Sequence, residues 1–376
     1  MSDRVEIGMG REARRAYALD DIAIVPSRRT RSSSEVSTAW QVDAYRFEIP
    51  MLTRASDAVV SPAVATEVGR LGGLGVLDGE GLWSRYEDPQ AVIDELVAVG
   101  MAAQDPDEII AALQKAYSRP VDPELLTRSI GEIRAGGGTV AVRLSPQNSA
   151  GLAATAIAAG VELLIIQGTI VSAEHVQRNG EPLNLKSFIA DLEVPVIVGG
   201  CTNYQTATHL MRTGAAGVIV GTGAGQTSTT DAVLGISVPM ATAIADAAAA
   251  RRSYLDETGG RYVQVIAAGD IDTSADVAKA IACGADAVMI GEPLATAQGA
   301  PADGWFWPTT AAHPVLPRGF ATPVGPADIS LEQLLLGPAT GADGRSNLFG
   351  ALRRAMAKAG YSTLKDFQRV GLTVRH

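Results

Sequence analysis

The chain has 376 residues, of which 47% are hydrophobic, and this is enough apolar material for a sizeable core. Its formal net charge of −10 argues against nucleic acid or an acidic membrane surface as the main partner. The two cysteines, Cys201 and Cys283, form no disulfide or metal-binding pattern. Because no signal peptide or membrane-spanning stretch is evident, we expect a cytoplasmic protein without a metal site.

Eight short apolar runs recur along the chain, and their hydrophobic character is nearly continuous, as in parallel strands buried on both faces. Segments with apolar residues three to four positions apart lie between them, and a glycine closely follows several of these segments. Eight such units predict a closed, parallel (β/α)8 TIM barrel more than an open sheet. The predicted strands are 49–53, 73–78, 139–145, 162–168, 194–199, 217–221, 263–269 and 287–291.

Three connections are longer than a strand–helix unit needs, namely residues 79–138, residues 221–262 and the tail after Gly291. Barrel active sites are built from the loops that follow strands, so long excursions are expected near function. We predict that residues 1–376 form a single domain, with a helical insertion after strand 2 and a flap-like C-terminal extension over residues 292–376. The aromatic run 305–307 is interpreted as packing of this tail against the barrel rather than as a cap over a ligand.

A series of short motifs runs in order along almost the full chain, although each motif alone is weak. The series resembles the IMP dehydrogenase and GMP reductase family. The resemblance implies NAD or NADP as cofactor, a role as an oxidoreductase of purine nucleotide metabolism, and a homotetramer. The motifs are DDIAIVP at 20–26, Asp57, GGLGV at 72–76, VPVIVG at 194–199, VGTG at 220–223 and VIAAG at 265–269.

The insertion separates this chain from many members of that family, which carry a paired CBS module between the second and third barrel strands. Residues 79–138 are about half the size of such a module. The chain therefore looks like the short, CBS-free subgroup called IMP dehydrogenase-related.

The catalytic loop of the family reads GxGPGSxCTTR, and residues 221–231 match it with GTGAGQTSTTD. Gly223, Gly225 and Thr230 fit the pattern, but Ser228 replaces the nucleophilic cysteine. A thiol reacts because some thiolate exists at neutral pH, whereas a serine needs a neighbouring base, and the loop contains no His or Lys. Ser228 and Thr230 are the candidate catalytic positions, but we expect no covalent oxidation of IMP by the usual route. A loop hydroxyl that satisfies backbone groups is the alternative role for Ser228.

The phosphate site is altered as well. Barrels commonly hold phosphate on backbone N–H groups after strands seven and eight, where Gly269 and Gly291 allow a close approach. However, Asp270 and Glu292 replace a glycine and a phosphate-binding serine, and Ala268 replaces the aspartate that holds ribose hydroxyls. Carboxylates that face a phosphate would weaken its binding, with unit charges ~4 Å apart interacting by about 4 kcal/mol; side chains turned outward would leave the backbone usable. By resemblance, nucleotide or phosphate contacts are expected at Gly223, Gly225, Gly269, Asp270, Gly291 and Glu292, and a cofactor contact at Gln167.

Three hypotheses follow, and the residues leave it open whether the protein is an enzyme. The first is an NAD- or NADP-linked oxidoreductase of IMP dehydrogenase type with altered chemistry, binding a purine nucleotide or nucleoside. The second is a non-catalytic, purine-sensing or regulatory barrel that partners a true IMP dehydrogenase. The third, prompted by Asp270 and Glu292, is a barrel enzyme for a cationic or unphosphorylated ligand.

Overall fold

Eight parallel strands form one sheet in the computed structural model, which describes residues 4–173, 183–222, 230–312, 319–339 and 341–375. From strand 2 to strand 8, each strand pairs with the next along the chain, and the eighth also pairs with the first. A parallel bridge between Leu52 and Leu74 links the two ends of the sheet. The predicted (β/α)8 barrel is therefore confirmed. Barrel strands 1 to 8 are Met51–Thr53, Val76–Asp78, Ala141–Leu144, Leu163–Gln167, Val196–Cys201, Gly217–Val220, Gln264–Ala267 and Ala287–Ile290.

The barrel strands are buried along almost their whole length, since helices cover the outside and side chains fill the interior. Leu163 to Ile166, for example, are completely buried. Most strands are shorter than the sequence pattern predicts, because the apolar runs include residues of the preceding turn. Strand 2, predicted over 73–78, begins only at Val76.

Four helices in the first half of the chain begin in the same way, with a Ser or Asp followed by a proline. The Ser or Asp side chain accepts a hydrogen bond from a first-turn N–H, and proline occupies a position where no N–H is needed. The fourth of them packs against the first and against the helix after strand 3, so it takes the place of the second barrel helix. The second and third pack on each other as an added hairpin. The four are α1 Pro62–Arg70, α2 Pro89–Ala102, α3 Pro106–Tyr117 and α4 Pro123–Ala135.

The remaining helices complete the outer ring and the C-terminal segment. None of the helices in the described ranges is long and apolar enough to cross a membrane. They are α5 Ser149–Ala159, α6 Leu185–Ala190, α7 Tyr204–Met211, α8 Thr230–Leu234, α9 Met240–Thr258, α10 Ser274–Ala282, α11 Leu331–Leu335, α12 Leu348–Lys358 and α13 Leu364–Phe367, with 3-10 turns at Ser33–Glu35, Leu82–Ser84, Glu292–Thr296 and Thr309–Ala312.

Four small antiparallel pairs decorate the barrel. One of them joins the two ends of the chain, because Leu372–Val374 pairs with Ile22–Ile24. The others are Arg4–Gly8 with Arg11–Arg14, Trp40–Val42 with Tyr45–Phe47, and Trp305–Phe306 with Thr322–Pro323.

The aromatic run of the tail packs against the barrel, as predicted from its composition. Phe306 and Trp307 are almost completely buried. The carbonyl of Trp307 accepts a hydrogen bond from the Ser56 hydroxyl at 2.5 Å. The Trp307 indole donates to the Tyr117 hydroxyl at 3.1 Å. The tail and the added hairpin therefore meet just after barrel strand 1.

A buried ion pair anchors the opposite end of the barrel. Arg251 of α9 lies 2.5 Å from the carboxylate of Asp286, which directly precedes strand 8, and both side chains are about 6% exposed. That carboxylate also accepts hydrogen bonds from the Tyr262 hydroxyl, the Val265 amide and the Gln368 side chain. With its charge and lone pairs satisfied, Asp286 connects α9, strand 7 and the C-terminal segment.

Replacement of Arg251 by methionine should lower the free energy of unfolding by about 3–5 kcal/mol, because it leaves the Asp286 carboxylate buried without its cation. Arg212→Met is the matched control, since it breaks an exposed pair with Glu257, and its effect should stay below about 1 kcal/mol. Urea unfolding measures both. Equal losses in the two variants would contradict the structural role of the buried pair.

Candidate functional site

The C-terminal ends of barrel strands 1, 4, 7 and 8 surround a pocket, on the face where barrels carry their active sites. A second cavity, of about 210 Å³, adjoins it and shares Asp272 and Glu292 with it. It extends to Thr296, Val324 and Arg345, where the tail approaches the barrel. The first pocket is lined by Arg54, Gln167, Ala268, Gly269, Asp270, Ile271, Asp272, Met289, Gly291 and Glu292.

The structure brings five of the predicted site residues to this one pocket: Gln167, Gly269, Asp270, Gly291 and Glu292. Thr230 is the first residue of α8, is almost completely buried, and is not among the described residues that line the pocket. The predictions for Ser228, Gly223 and Gly225 fall on residues outside the described ranges.

Asp270 and Glu292 both line the pocket. Asp270 has a positive φ of 53°, a backbone region that Asp tolerates better than most residues. Burial raises the pKa of Asp270, and the neighbouring Asp276, Asp20 and Glu292 add to the effect. Negative charge is thus already crowded where the family binds phosphate, which makes this end of the pocket unfavourable for another anion.

Asp272 is a third carboxylate at the same end, and it lines both cavities. Burial raises its pKa to about 6, with further contributions from Glu292 and Asp276, while Arg345 acts in the opposite direction. A carboxylic acid that titrates near neutral pH in a cleft is a candidate general acid or base.

Gln167 ends barrel strand 4 with its side-chain amide in the pocket. The amide N–H donates to the sulfur of Met289 at 3.5 Å, which is a weak acceptor. The backbone carbonyl of Gln167 accepts from Arg143 at 2.8 Å, and this holds the end of the strand in place. Ala268, which replaces the ribose-binding aspartate of the family, contributes only a methyl group.

Arg54 is the one cation that lines the first pocket within the described part of the chain. Its backbone N–H donates to the carbonyl of Ile290 at 2.6 Å, across the seam between strands 1 and 8. Its guanidinium lies 5.7 Å from the centre of the Phe306 ring. Burial lowers the pKa of Arg54, and Glu292 opposes that shift.

A network of buried polar groups lies beside the pocket, after strands 1 and 2. Asp57 accepts hydrogen bonds from the Leu82 amide at 2.9 Å and from the Tyr117 hydroxyl at 2.5 Å. Its second carboxylate oxygen has no hydrogen-bond partner among the described residues. Asp78 forms a buried ion pair with Arg143 at 3.3 Å. Asp57 therefore links the barrel to the added hairpin, which carries Tyr117.

The two aspartates of this network resist ionisation. Burial raises the pKa of Asp57 to about 7, and the charge of Asp78 adds to the shift, whereas the Tyr117 and Leu82 hydrogen bonds oppose it. Burial also raises the pKa of Asp78, against the opposing effect of Arg143. Glu80 differs: burial is the largest influence, but Arg143 and nearby hydrogen-bond donors together hold its pKa below the usual value.

Neither cysteine can take over the role of the missing nucleophile. Cys201 ends strand 5, is 2% exposed and donates its S–H to the carbonyl of Ile219 at 3.4 Å. Burial raises the pKa of Cys201 and of Cys283 to about 12. The reactive form of a cysteine is the thiolate, and this form is negligible near neutral pH at such pKa values. No group of side chains suited to a metal ion occurs within the described ranges.

Sequence reasoning missed Arg54, Asp272 and the proton-holding pair of Asp57 and Tyr117. Arg54 directly follows predicted strand 1, and Asp272 lies two residues after Asp270. A systematic reading of charged residues within about three positions after each predicted strand finds both, because those residues converge at the mouth of a barrel. Tyr117 belongs to the insertion, and its approach to Asp57 leaves no signal in the sequence.

Comparison with known proteins adds to this description. The family model of the IMP dehydrogenase / GMP reductase domain matches residues 16–312. An uncharacterized oxidoreductase of Mycolicibacterium smegmatis is 61% identical over 98% of this chain and 99% of its own. Inosine-5'-monophosphate dehydrogenase of Cryptosporidium parvum is 27% identical over 77% of this chain and 70% of its own. A crystal structure of an IMP dehydrogenase/GMP reductase-like protein from Corynebacterium glutamicum is 53% identical, covers 99% of this chain and 98% of its own, and has a TM-score of 0.95.

The raised pKa of Asp57 leads to a prediction about how the free energy of unfolding depends on pH. Between about pH 4 and pH 7 the unfolded chain loses this proton while the folded chain keeps it, so the Asp57 contribution to stability falls by up to about 1.4 kcal/mol per pH unit. Asp57→Asn removes this titration, so the free energy of unfolding of the variant, relative to the parent, should rise as the pH rises across that interval. Urea unfolding at several pH values measures it, with the exposed Asp94→Asn as control. A difference that stays constant with pH would show that Asp57 ionises normally.

Proposed function

Because the chain belongs to the IMP dehydrogenase/GMP reductase family, we propose that it is an NAD- or NADP-dependent oxidoreductase acting on a purine nucleotide or nucleoside without a cysteine-bound intermediate. Two facts together carry this proposal. The pocket contains a carboxylate, Asp272, whose pKa is raised to about 6, and both thiols of the chain remain protonated near neutral pH. A cytoplasmic homotetramer is part of the same proposal, on family resemblance.

Asp272 serves as the general base in this proposal. A base works best when its pKa lies near the working pH, since it is then ionised yet still basic. Its position between the two cavities lets its carboxylate accept a proton from a substrate hydroxyl or from an attacking water. Ser228 then needs no role as a nucleophile, and the absence of a thiol is consistent with the reaction.

The residues present fit a nicotinamide cofactor. Among the described residues, only the Met289 sulfur engages the side-chain amide of Gln167, so this amide is available to pair with the carboxamide of the nicotinamide ring. Met289 and the methyl group of Ala268 offer an apolar wall beside it. When bound, the cofactor would accept or supply a hydride. The part played by the protein is to orient the reactants and to hold the proton at Asp272.

The three carboxylates constrain how the substrate lies. Asp270, Asp272 and Glu292 all line the pocket at the ends of strands 7 and 8. They favour a positively charged or hydrogen-bond-donating part of the ligand at that end. This supports a nucleoside-like mode of binding there, as in the hypothesis of a cationic or unphosphorylated ligand.

A non-catalytic regulator is the second candidate function. It is favoured by Ser228 in place of the nucleophile, together with Ala268 in place of the ribose-binding carboxylate. In this role the pocket would sense a purine, and a true IMP dehydrogenase would be the partner.

Purified protein should show saturable turnover with IMP or inosine and NAD or NADP, or with GMP or guanosine and NADPH. The double variant Cys201→Ser/Cys283→Ser should retain the parental rate, because neither thiol takes part. Absorbance at 340 nm follows the reduced nicotinamide. Purine binding without turnover in any of these pairs would favour the regulator, and a large loss of rate in the double variant would exclude the thiol-free route.

Asp272→Asn should lower kcat by about 10²- to 10⁴-fold, because it removes the proton acceptor. The parental rate should fall as the pH drops through about 6, where the carboxylate becomes protonated. The variant should lose that dependence. Steady-state kinetics from pH 5 to pH 8 test this, with the exposed Asp256→Asn as control. If both variants keep the parental pH profile, Asp272 is not the base.

A further inference from the structure

Arg54 has an arrangement that the proposed reaction does not explain. Within the described ranges, its guanidinium forms no hydrogen bond and no ion pair, and its close neighbour is the face of Phe306. Glu292 acts on it electrostatically without forming an ion pair. A guanidinium has five N–H donors, and Arg54 keeps part of its surface accessible at the pocket. Its donors are thus available to a ligand in the pocket.

The residues around Arg54 leave space for its side chain. A Cβ atom at Gly291 would lie 3.0 Å from Cδ of Arg54, 3.1 Å from its Cβ and 3.2 Å from the Phe306 ring. Each distance is shorter than ordinary carbon contacts. Glycine at position 291 therefore makes room for the arginine and the aromatic ring together. The residue that the family uses for a close approach to phosphate here accommodates a side chain from strand 1.

We propose that Arg54 binds an oxyanion of the ligand, a carboxylate or a phosphate, at the strand 1 side of the pocket. The ligand is thus dipolar: its negative group lies at Arg54, and its positively charged or hydrogen-bond-donating part lies toward Asp270 and Asp272, which line the same pocket after strand 7. This inference rests on the proposed function for the identity of the pocket as a substrate site. It moves the anion site from the backbone after strands 7 and 8 to a side chain after strand 1.

Charge and geometry favour this orientation over the reverse. A phosphate after strand 7 would lie among the carboxylates of Asp270 and Asp272, whereas an oxyanion at Arg54 meets a cation that makes no hydrogen bond with the described residues. Arginine binds planar or tetrahedral oxyanions through two parallel hydrogen bonds, which lysine cannot reproduce. The Phe306 ring under the guanidinium keeps it oriented without consuming its donors.

Isothermal titration calorimetry on the full chain tests the site, with inorganic phosphate, acetate, IMP and inosine as probes. At least one of the three anionic probes should bind the parent, and Arg54→Met should weaken that binding by about 10- to 100-fold. Arg54→Lys should fall between the two, and binding of inosine should not change. The exposed Arg46→Met, at the other end of the barrel, is the control. Phosphate and acetate distinguish which kind of oxyanion is preferred.

Stability separates a ligand-binding arginine from a structural one. Without ligand, Arg54→Met should leave the Tm within about 2 °C of the parental value, because the guanidinium is partly exposed and forms no hydrogen bond or ion pair with the described residues. A fall of more than about 5 °C would show that the guanidinium supports the fold, and would overturn the proposal. Failure of every anionic probe to bind the parent, or equal binding to parent and variant, would overturn it as well.

The two proposals can fail separately. Arg54-dependent binding without any turnover would contradict the oxidoreductase and leave the oxyanion site supported. Turnover with anion binding that does not depend on Arg54 would contradict only the oxyanion site.

Discussion

The site depends on the closure of the barrel between strands 8 and 1. The amide of Arg54 donates to the carbonyl of Ile290, so the residues that follow both strands stand side by side. Closure brings a cation from the first part of the chain beside Gly291 and Glu292. The closed barrel excludes water, so burial and the nearest charged neighbours set the pKa of each ionisable group at its mouth.

Burial is the largest influence on the carboxylates of the barrel mouth, yet its consequences differ from strand to strand. After strands 1 and 2, Asp57 keeps a proton up to about pH 7 inside a closed network that joins the barrel to its insertion. After strand 7, Asp272 is only partly buried and titrates at about pH 6 in contact with two cavities. The first holds its proton for structure, and the second is accessible to a ligand. Access of a ligand to the carboxyl group, more than the size of its pKa shift, distinguishes a structural acid from a candidate catalytic one.

Within the IMP dehydrogenase/GMP reductase family, this chain keeps the barrel and changes the groups at its mouth. A relative 61% identical over nearly the full length is named an uncharacterized oxidoreductase, whereas the named inosine-5'-monophosphate dehydrogenases are much less similar, at 27% for that of Cryptosporidium parvum. The charged groups at the barrel mouth are separated by sign. The positive charge lies at strand 1, negative charge collects at strands 7 and 8, and neither thiol is reactive. Such a pattern is expected when a pocket is adapted to a ligand of different polarity.

The sequence by itself determined the barrel, the order of its strands and five of the pocket residues, because hydrophobic periodicity and the residues that follow strands are local features. It also predicts, by resemblance, that Ser228 stands where the family has its cysteine. Only the tertiary structure decided that Asp270 and Glu292 line one pocket with Arg54, that Tyr117 reaches Asp57, and that Arg54 lies against Phe306 without a hydrogen bond to the other described residues. These facts depend on which side chains meet across the closed ring and its insertion. Contacts between distant parts of a chain leave no periodic pattern along it.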